Sequence, residues 1–396
     1  MDNKGVAPHK ELIRTTCPVC GNTSVGDEFF FRDFSGAAGI VPFLSYKVFG
    51  CPKCGMMYAG NLVKSQELDQ YYAKMSRYEG DSFVLSDKVK QFYNHTADFI
   101  LTQVSNENSV MDIGCAFGGL LASLKDKGFT KLNGLEFSEK NARYAWEHYA
   151  IKVINGGLGI GYVPSEKYDL VILSGVLEHL VDLHEVLEEI KLYLNKGGRL
   201  FLSVPDLADF ANHADLFQEF SVEHINYFNI HSLSVLLGSH GFSLVHNAQD
   251  TIPLYGLCKN LFALFEYNND KGGKPDVSSS FEAINNYLQV SQKVAQRINE
   301  NLKHVPMAHG CYIWGGGTQT QMLFQLGFIK ESDVRLVIDA NPNYHGESFY
   351  GTRIVAPDEL FVSEDLPIII SSQYAQDAIE RQIKDMQLKN KVYKLF

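Results

Sequence analysis

Two acid–histidine pairs stand out among the residues that could do chemistry. Glu178 and His179 lie in V-L-E-H-L, and Glu223 and His224 lie in F-S-V-E-H-I-N-Y-F-N. An imidazole titrates near neutral pH, so it can act as a general base, and an adjacent carboxylate can raise its basicity or orient it. We predict that His224 removes a proton or contacts the substrate directly, with Tyr227 among the aromatic residues around it. The alternative is a hydrogen-bonded histidine that closes a loop.

Two C-x-x-C pairs suit a metal ion. Cys17 and Cys20 form C-P-V-C, Cys51 and Cys54 form C-P-K-C, and a glycine follows each pair. Four thiolates suit tetrahedral zinc, and four protein ligands leave no open position, so we predict a structural zinc site. Disulfides are not expected in a reducing compartment, and redox C-x-x-C chemistry needs only one pair.

A glycine turn in V-M-D-I-G-C-A-F-G-G predicts a ligand-binding strand, turn and helix. The apolar run ends in Asp112, turns at Gly114 and returns through Gly118 into a helix-like stretch. A second predicted strand ends in Glu136, about where a carboxylate reaches ribose hydroxyls across a doubly wound sheet. The glycines lack G-x-G-x-x-G spacing, which argues against a dinucleotide. The alternative is an ordinary tight turn that binds nothing.

This turn resembles the cofactor loop of class I S-adenosylmethionine (SAM) methyltransferases. Glycines suit such a loop because the backbone must pass under the methionine moiety and the ribose without Cβ atoms in the way. The resemblance implies SAM as the cofactor, contacted by the turn and by neighbouring strand ends. The predicted contacts are Asp112, Gly114, Cys115, Ala116, Gly118, Glu136, Phe137 and Ser174.

Strands that alternate with helices predict an α/β fold with a mostly parallel sheet. In an open sheet of this kind, ligands lie beyond the carboxyl ends of the strands, so Ser174 and the start of V-L-E-H-L should face the site. Besides the strand before Gly114, we predict strands at Lys131–Phe137, Lys152–Ile154, Tyr168–Ser174 and Arg199–Val204, and helices at Ser86–Gln103, Ser138–Tyr149 and Val181–Leu194.

The C-terminal part predicts a second unit of the same kind. A strand at Cys311–Trp314 leads through the glycine turn Gly315–Gly317 into a helix at Thr318–Leu326. A glycine turn at a helix N-terminus can hold a phosphate, so Gly315 and Gly317 are predicted contacts to a sugar nucleotide. The alternative is a degenerate Rossmann-like domain that packs against the central one and binds nothing.

Composition bounds the remaining choices. The chain has 396 residues and a net charge of −11, which argues against a general nucleic-acid binder. No apolar run approaches the roughly 18 residues that span a membrane, and no signal peptide is expected. We expect a cytoplasmic protein with a zinc-binding N-terminal domain at 1–70, a methyltransferase domain at 71–250, a linker and helix at 251–302, and a Rossmann-like α/β domain at 303–396.

The order of these motifs resembles the sugar-nucleotide C-methyltransferases that act on keto-deoxysugars. The resemblance covers nearly the whole chain, from the cysteine pairs through the SAM loop to the C-terminal α/β unit. In that family a histidine of the E-H pair abstracts the proton α to a sugar ketone. The resemblance therefore implies His224 as the base, Glu223 as its partner, His179 as a second polar contact to the sugar, and Tyr78 as a pocket residue.

The chain departs from that family at three places, and one of them is the tyrosine- and serine-rich signature before the SAM domain, which here reads S-R-Y-E-G-D-S around Tyr78. The family usually has Tyr-His directly before Glu-His, where this chain has Ser221 and Val222, and an aromatic-Gly-Ala-Ala turn, where this chain has W-G-G-G. Two alternatives therefore stay open. One is an O- or N-methyltransferase that acts on a sugar nucleotide or a related small molecule. The other is a non-catalytic SAM-binding scaffold whose zinc knuckles contact a partner.

Overall fold

The structure, a computed structural model, describes residues 12–24, 26–37, 45–62, 86–158, 164–221, 223–251, 258–270, 272–362 and 365–396. Within these ranges the chain forms an N-terminal module, a central α/β unit and a C-terminal α/β unit, and a long helix precedes the last of these. The predicted fold class is confirmed. The exact domain boundaries stay a prediction.

The N-terminal module is built from short antiparallel strands. They are β1 (Leu12–Ile13), β2 (Asp27–Asp33), β3 (Ser45–Gly50), β4 (Met57–Ala59) and β5 (Asn61–Leu62). Strands β2, β3 and β4 pair in sequence, and β1 pairs with β5. In β3, buried residues alternate with partly exposed ones, because one face of the strand packs on the core.

The central unit alternates strands and helices as the sequence predicts. Its strands are β6 (Val110–Ile113), β7 (Leu132–Glu136), β8 (Lys152–Asn155), β9 (Tyr168–Ser174), β10 (Leu194–Pro205), β11 (Asn226–Tyr227), β12 (Phe242–Gln249) and β13 (Asn260–Tyr267). Its α-helices are α1 (Asp87–Gln103), α2 (Gly119–Asp126), α3 (Glu139–Tyr149), α4 (Leu183–Tyr193) and α5 (Ile230–Ser239). Serine side chains cap α1 and α3 at Ser86 and Ser138.

Seven of these strands form one sheet in the order β12-β13-β10-β9-β6-β7-β8. Strands β6 to β10 run parallel, and β12 and β13 are antiparallel to their neighbours. The strand order reverses between β6 and β9, so the carboxyl ends of these two strands open the crevice where ligands bind in doubly wound sheets. The hairpin β12–β13 has no clear signal in the sequence, because β13 is a short, almost continuously buried apolar run.

The C-terminal unit repeats this plan. Its strands are β14 (Cys311–Trp314), β15 (Val334–Ile338), β16 (Ser348–Phe349), β17 (Thr352–Val355), β18 (Ile368–Ile370) and β19 (Val392–Lys394), in the order β16-β17-β15-β14-β18-β19. The helices are α6 (Val277–Leu302), which precedes the unit, α7 (Thr318–Gln325) and α8 (Gln376–Asp385). The order again reverses next to β14, beside the glycine turn.

One buried apolar cluster joins the three parts. It contains Tyr46 of β3, Phe220 of the loop before β11, Tyr287 of α6 and Ile313 of β14. Short 3₁₀ turns complete the described elements, at Ser35–Ala37, Leu177–His179, Leu207–Asn212, Glu331–Asp333, Pro342–Tyr344 and Pro357–Val362. Within the described ranges, every helix is too short or too polar to cross a lipid bilayer.

Candidate active site

The turn after β6 lies where the strand order reverses, and its glycines leave the backbone there without side chains. Gly114 and Gly118 have φ angles of +73° and +76°. A Cβ atom on Gly114 would lie 2.8 Å from Val176 Cγ2, and one on Gly118 would lie 2.9 Å from Ala145 Cβ. Both positions therefore need glycine, for the left-handed backbone and for the close approach of a neighbour. Ala116 between them has a φ of +45°, a strained value that concentrates at ligand sites.

Glu136, at the end of β7, braces this turn. One carboxylate oxygen accepts a hydrogen bond from the Ala116 amide at 3.0 Å, and the other accepts one from the Ser138 amide at 3.0 Å. Asp112 of β6 is buried, and burial together with the charge of Glu136 raises the pKa of Asp112 well above its usual value. Two carboxyl groups thus lie at the ends of neighbouring parallel strands.

The other predicted cofactor contacts differ in what they offer. Phe137 follows β7 with 65% of its surface exposed, and its ring lies against Gly157, so it offers a flat apolar face. Ser174 ends β9 beside the turn that carries Glu178. Cys115 is different, because its sulfur is buried against Gly134, where a Cβ atom would come within 2.6 Å. The main chain of Cys115 takes part in the turn, and its thiol donates to the Ala116 carbonyl at 3.8 Å.

Hydrogen bonds join the two acid–histidine motifs. The amide of Ile225 donates to the carbonyl of Glu178 at 3.0 Å. The side chain of Asn226 donates to the carbonyl of Leu180 at 2.7 Å, and the Tyr46 hydroxyl donates to the carbonyl of His224 at 2.7 Å. The loop after β10 is thereby held against the 3₁₀ turn after β9, which no local sequence pattern specifies.

His179 and His224 form an imidazole pair. Their rings pack edge to face with centroids 4.9 Å apart. Nδ1 of His179 lies 2.8 Å from the main-chain carbonyl oxygen of Glu223. A carbonyl oxygen can only accept, so Nδ1 carries the proton and Nε2 keeps a lone pair. This contact uses the main chain of Glu223, whereas a carboxylate partnership with His224 stays a prediction.

Burial controls the protonation of this pair. Burial, with a smaller effect of His179, lowers the pKa of His224 to about 3. Burial lowers the pKa of His179 to about 4 and raises the pKa of Glu178 to about 8. Both imidazoles are therefore neutral at pH 7 and can accept a proton, while Glu178 holds one.

The two predicted pocket tyrosines have different outcomes. Tyr227 is almost fully buried, and its hydroxyl contacts the hydroxyl of Tyr46, whose pKa burial raises. Tyr227 thus supports the loop that carries His224. Tyr78 lies outside the described residues, so its place in the pocket stays a prediction.

A buried polar cluster precedes His224, and sequence reasoning missed it. The Tyr287 hydroxyl donates to Asp215 at 2.8 Å and accepts from the Glu219 amide at 2.9 Å, and Arg32 donates to the Phe217 carbonyl at 2.9 Å. Burial raises the pKa of Asp215 to about 6 and that of Glu219 to about 8. One oxygen of each acid has no hydrogen-bond partner among the described residues. These residues come from three separate segments, so no local spacing could have revealed them.

The C-terminal turn repeats the bracing of the first. Asp339 follows β15, and its two carboxylate oxygens accept from the amides of Gly316 and Asn341, each at 2.7 Å. Gly315 has a φ of +119°, and a Cβ atom there would lie 2.8 Å from Ser371 Oγ. Gly317 has open space around it. An acid at the end of a strand thus holds a glycine turn in both units.

This second turn contacts the loop that precedes His224. The Thr318 hydroxyl donates to the side chain of Gln218 at 2.9 Å. Gln373, just after β18, donates to the carbonyl of Ala214 at 3.0 Å. The predicted substrate turn therefore borders the same loop as the imidazole pair, and a ligand contact of Gly315 or Gly317 stays a prediction.

The four cysteines of the N-terminal module converge. Cys17 Sγ lies 3.5 Å from Cys54 Sγ, and Cys20 Sγ lies 3.6 Å from Cys51 Sγ. All four sulfurs lie within 4.8 Å of one another, and none forms a disulfide. In a tetrahedral site with Zn–S bonds of about 2.3 Å, sulfurs are about 3.8 Å apart, so these thiols fit the geometry of a zinc ion.

The sheet order and the glycine turn at its switch point define a Rossmann-like α/β domain of the class I methyltransferase type. Residues 86–247 match the methyltransferase domain family. The central part of the chain is therefore a class I SAM-dependent methyltransferase domain.

Characterised proteins resemble parts of the chain. A ubiquinone biosynthesis O-methyltransferase of Caulobacter vibrioides is 31% identical over 105 residues, which cover 24% of this chain and 40% of that protein. The C-methyltransferase NovU of Streptomyces niveus is 24% identical over 237 residues, which cover 58% and 52%. The chain thus spans about half or less of the length of these relatives.

Solved structures resemble the fold. The magnesium protoporphyrin IX methyltransferase ChlM of Synechocystis PCC 6803, with bound SAM, is 17% identical with a TM-score of 0.39. The match covers 52% of this chain and 99% of that one.

Proposed function

We propose that this protein transfers a methyl group from SAM to a nucleotide-linked sugar, at the carbon α to a ketone, with His224 as the general base. The observation that carries the proposal is the shared segment after β9. Val176 packs against the Gly114 turn, and two residues later the same segment presents Glu178 and His179 beside His224. A cofactor turn and a neutral base therefore border one site.

The residues at the turn fit SAM. Positive φ angles and the absence of a Cβ atom at Gly114 and Gly118 leave the backbone open to a ligand, and Glu136 and Phe137 offer a carboxylate and an apolar ring at the end of β7. When bound, SAM supplies an electrophilic methyl group. The task left to the chain is to hold the acceptor in line and to remove its proton.

The base chemistry follows from the imidazole pair. A C–H bond next to a ketone is weakly acidic, so a positioned base is needed, and such assistance contributes roughly 10²- to 10⁴-fold to the rate. His224 is neutral, so an imidazole nitrogen is free to take that proton. His179 donates from Nδ1 to the Glu223 carbonyl, which orients the ring, and the proposal assigns to His179 a second polar contact to the sugar.

The proposal assigns the other parts of the chain to binding. The four cysteines would hold a structural zinc ion, which fits their sulfur geometry. The C-terminal glycine turn would contact the nucleotide or sugar, with Gly315 and Gly317 as candidate contacts. We expect the protein to act in the cytoplasm on a small molecule, and not on nucleic acid or at a membrane.

The test is a panel of nucleotide-linked keto-sugars incubated with SAM and read by mass spectrometry. We expect a mass gain of one methyl group with the parent protein and, for His224→Ala, a loss of roughly 100-fold or more in rate with unchanged SAM affinity. His184→Ala, a surface histidine on α4, is the matched control and should retain the rate. A well-folded parent protein that binds no SAM, or methylates no member of the panel, would overturn the proposal.

A second candidate is transfer to a hydroxyl or amino group of a related sugar nucleotide or small molecule. Two observations support this second candidate function. Ser221 and Val222 replace the Tyr-His pair of the C-methyltransferases, and one of the similar proteins is named as an O-methyltransferase. Carbon NMR of the product separates the two, because C-methyl and O-methyl carbons resonate far apart. A third reading, a non-catalytic scaffold, predicts SAM binding without any product.

A further inference from the structure

Arg14 joins the N-terminal module to the segments that carry the two histidines. Its guanidinium donates through Nη2 to the Val181 carbonyl at 3.2 Å, and through Nη1 to the Ile225 carbonyl at 3.1 Å and the Asn226 side-chain oxygen at 3.0 Å. Val181 lies two residues after the first histidine of the imidazole pair, and Ile225 directly follows the second. One side chain therefore holds the main chain beside both imidazoles.

Asn226 connects Arg14 to the 3₁₀ turn after β9. Its Oδ1 accepts from Arg14, and its Nδ2 donates to the Leu180 carbonyl at 2.7 Å and the Leu177 carbonyl at 3.3 Å. A guanidinium can only donate and a carbonyl can only accept, so these bonds all require the same orientation of the amide. Asn226 is 1% exposed, so the loss of Arg14 would leave a buried oxygen without this partner, which costs free energy.

The backbone around Arg14 fixes its position. Its amide donates to the Gly60 carbonyl at 2.9 Å, and β1, which directly precedes it, pairs with β5. Burial lowers the pKa of Arg14 to about 10, so the guanidinium is still charged at pH 7. Hydrogen bonds from a charged donor are stronger than those between neutral groups. Arg14 is thus a charged donor on a chain segment that is itself held in place.

Two other hydrogen bonds support the histidine segments without Arg14. The Ile225 amide donates to the Glu178 carbonyl at 3.0 Å, and the Tyr46 hydroxyl donates to the His224 carbonyl at 2.7 Å. These bonds do not involve the guanidinium, so they remain available when it is removed. We therefore expect the loss of Arg14 to loosen the two segments without separating them.

We propose that Arg14 is a positioning residue, whose guanidinium fixes the segment that carries His224 against the turn that carries His179. The inference rests on the proposed function, because it gives Arg14 a part in the geometry of the proposed base. Arg14 acts through main-chain carbonyls and Asn226, and it need not touch SAM or the substrate. Its planar fork reaches both segments with two nitrogens, which the single ammonium group of a lysine cannot reproduce.

The first test is amide hydrogen exchange of the full-length protein, read by mass spectrometry. Arg14→Met keeps a long side chain but removes the donors, so exchange should rise roughly tenfold or more in peptides that cover 177–181 and 223–227. Arg14→Lys keeps the charge and should show a smaller rise. Arg335→Met is the matched control, because Arg335 in β15 donates to one main-chain carbonyl, that of His309, at 3.3 Å. It should leave exchange in both peptides unchanged.

The second test separates positioning from a general effect on stability. In Arg14→Met we expect kcat for methyl transfer to fall roughly tenfold or more, because the base is misplaced, with an unchanged KM for SAM. In the shorter Arg14→Ala, added guanidinium should restore part of the rate at millimolar concentrations, well below the molar range that unfolds proteins. Sodium chloride at the same concentration should not.

Circular dichroism and SAM affinity report whether each variant is folded. Exchange that is the same in folded Arg14→Met or Arg14→Lys as in the parent would overturn the inference. Raised exchange with an unchanged kcat would also overturn it, because Arg14 would then support the fold alone. A parent protein that methylates no sugar would overturn the proposed function, while the exchange result would still decide whether Arg14 holds the two segments together.

Discussion

Burial sets the chemistry of His179 and His224. A histidine ordinarily has a pKa near neutral, yet burial lowers the pKa of His179 to about 4 and that of His224 to about 3. The same burial raises the pKa of Glu178 to about 8. Desolvation disfavours whichever form is charged, so the acid becomes protonated and the imidazoles become neutral. One environment thus sets the charge of all three groups near pH 7.

The prediction at the residue scale concerns how the rate of methyl transfer depends on pH. A histidine with a lowered pKa is neutral above that value, so the base form of His224 is lost only as the pH falls towards about 3. We expect kcat/KM for methyl transfer to stay flat between pH 5 and pH 7 instead of falling near pH 6.5. A pH series with a substrate from the keto-sugar panel measures this. A drop centred between pH 6 and 7, absent from His224→Gln, would contradict the prediction.

At the scale of elements, the two α/β units share one arrangement, in which a carboxylate accepts hydrogen bonds from the amides of a glycine turn and of the loop after its own strand. Glu136 accepts from the Ala116 and Ser138 amides, and Asp339 accepts from the Gly316 and Asn341 amides. In each case an acid at the end of one strand fixes the glycine turn that follows the neighbouring parallel strand. The turn keeps its shape because the carboxylate that holds it stands at the end of a strand of the sheet.

A substitution in the first turn tests its role. Gly114→Ala places a Cβ atom 2.8 Å from Val176 on a backbone with positive φ, so the turn must shift. We expect SAM affinity, measured by calorimetry, to fall roughly tenfold or more.

Gly327→Ala is the matched control for that variant. Gly327 also has a positive φ, +69°, but a Cβ atom there meets no neighbour within 4 Å, and the residue lies in the other unit. It should lose some stability and keep its SAM affinity. Equal SAM affinity in both variants would mean that the Gly114 turn does not contact the cofactor.

At the scale of the molecule, the N-terminal module and the two α/β units share one hydrophobic core. Tyr46, Phe220, Tyr287 and Ile313 belong to one buried cluster, although they come from four different segments. Arg14, close to the first cysteine pair, donates to the Val181 carbonyl at 3.2 Å. The N-terminal module therefore supports the histidine loop directly, and damage to it should reach the site.

The cysteine pairs give a prediction at this scale. Cys17→Ser should lower the zinc content by about one ion per chain and lower the melting temperature, because a thiolate ligand is lost. Elemental analysis and calorimetry measure the two effects. Cys311→Ser, a buried cysteine in β14, should keep its zinc. A parent protein purified with far less than one zinc per chain would contradict the zinc assignment.

The C-terminal turn gives a prediction that mirrors the Gly114 test. Gly316→Asp adds a carboxylate beside Asp339, since a Cβ atom at 316 lies 3.4 Å from Asp339 Oδ2. We expect roughly tenfold weaker binding of the sugar nucleotide with unchanged SAM affinity, both measured by calorimetry. The Gly114→Ala variant should show the reverse. Equal loss of both ligands, or of neither, would count against a substrate role for this turn.

Local patterns in the sequence determined most elements and the class of the fold. Buried parallel strands such as Tyr168–Ser174 are continuous apolar runs, Ser86 and Ser138 mark helix starts, and glycines mark turns that need positive φ. The cysteine pairs could also be read in this way, because C-x-x-C spacing is itself a local feature. Each of these signals depends on neighbours in the chain.

Only the tertiary structure decided how distant segments meet. It brought His224 against His179, joined His179 to the main chain of Glu223, and placed Arg32, Asp215 and Glu219 in one buried cluster. It also brought Glu178, His179 and His224 together, apart from a surface cluster of the same residue types. The physical reason is that burial, pKa and the direction of a lone pair depend on atoms from remote segments, which no spacing along the chain records.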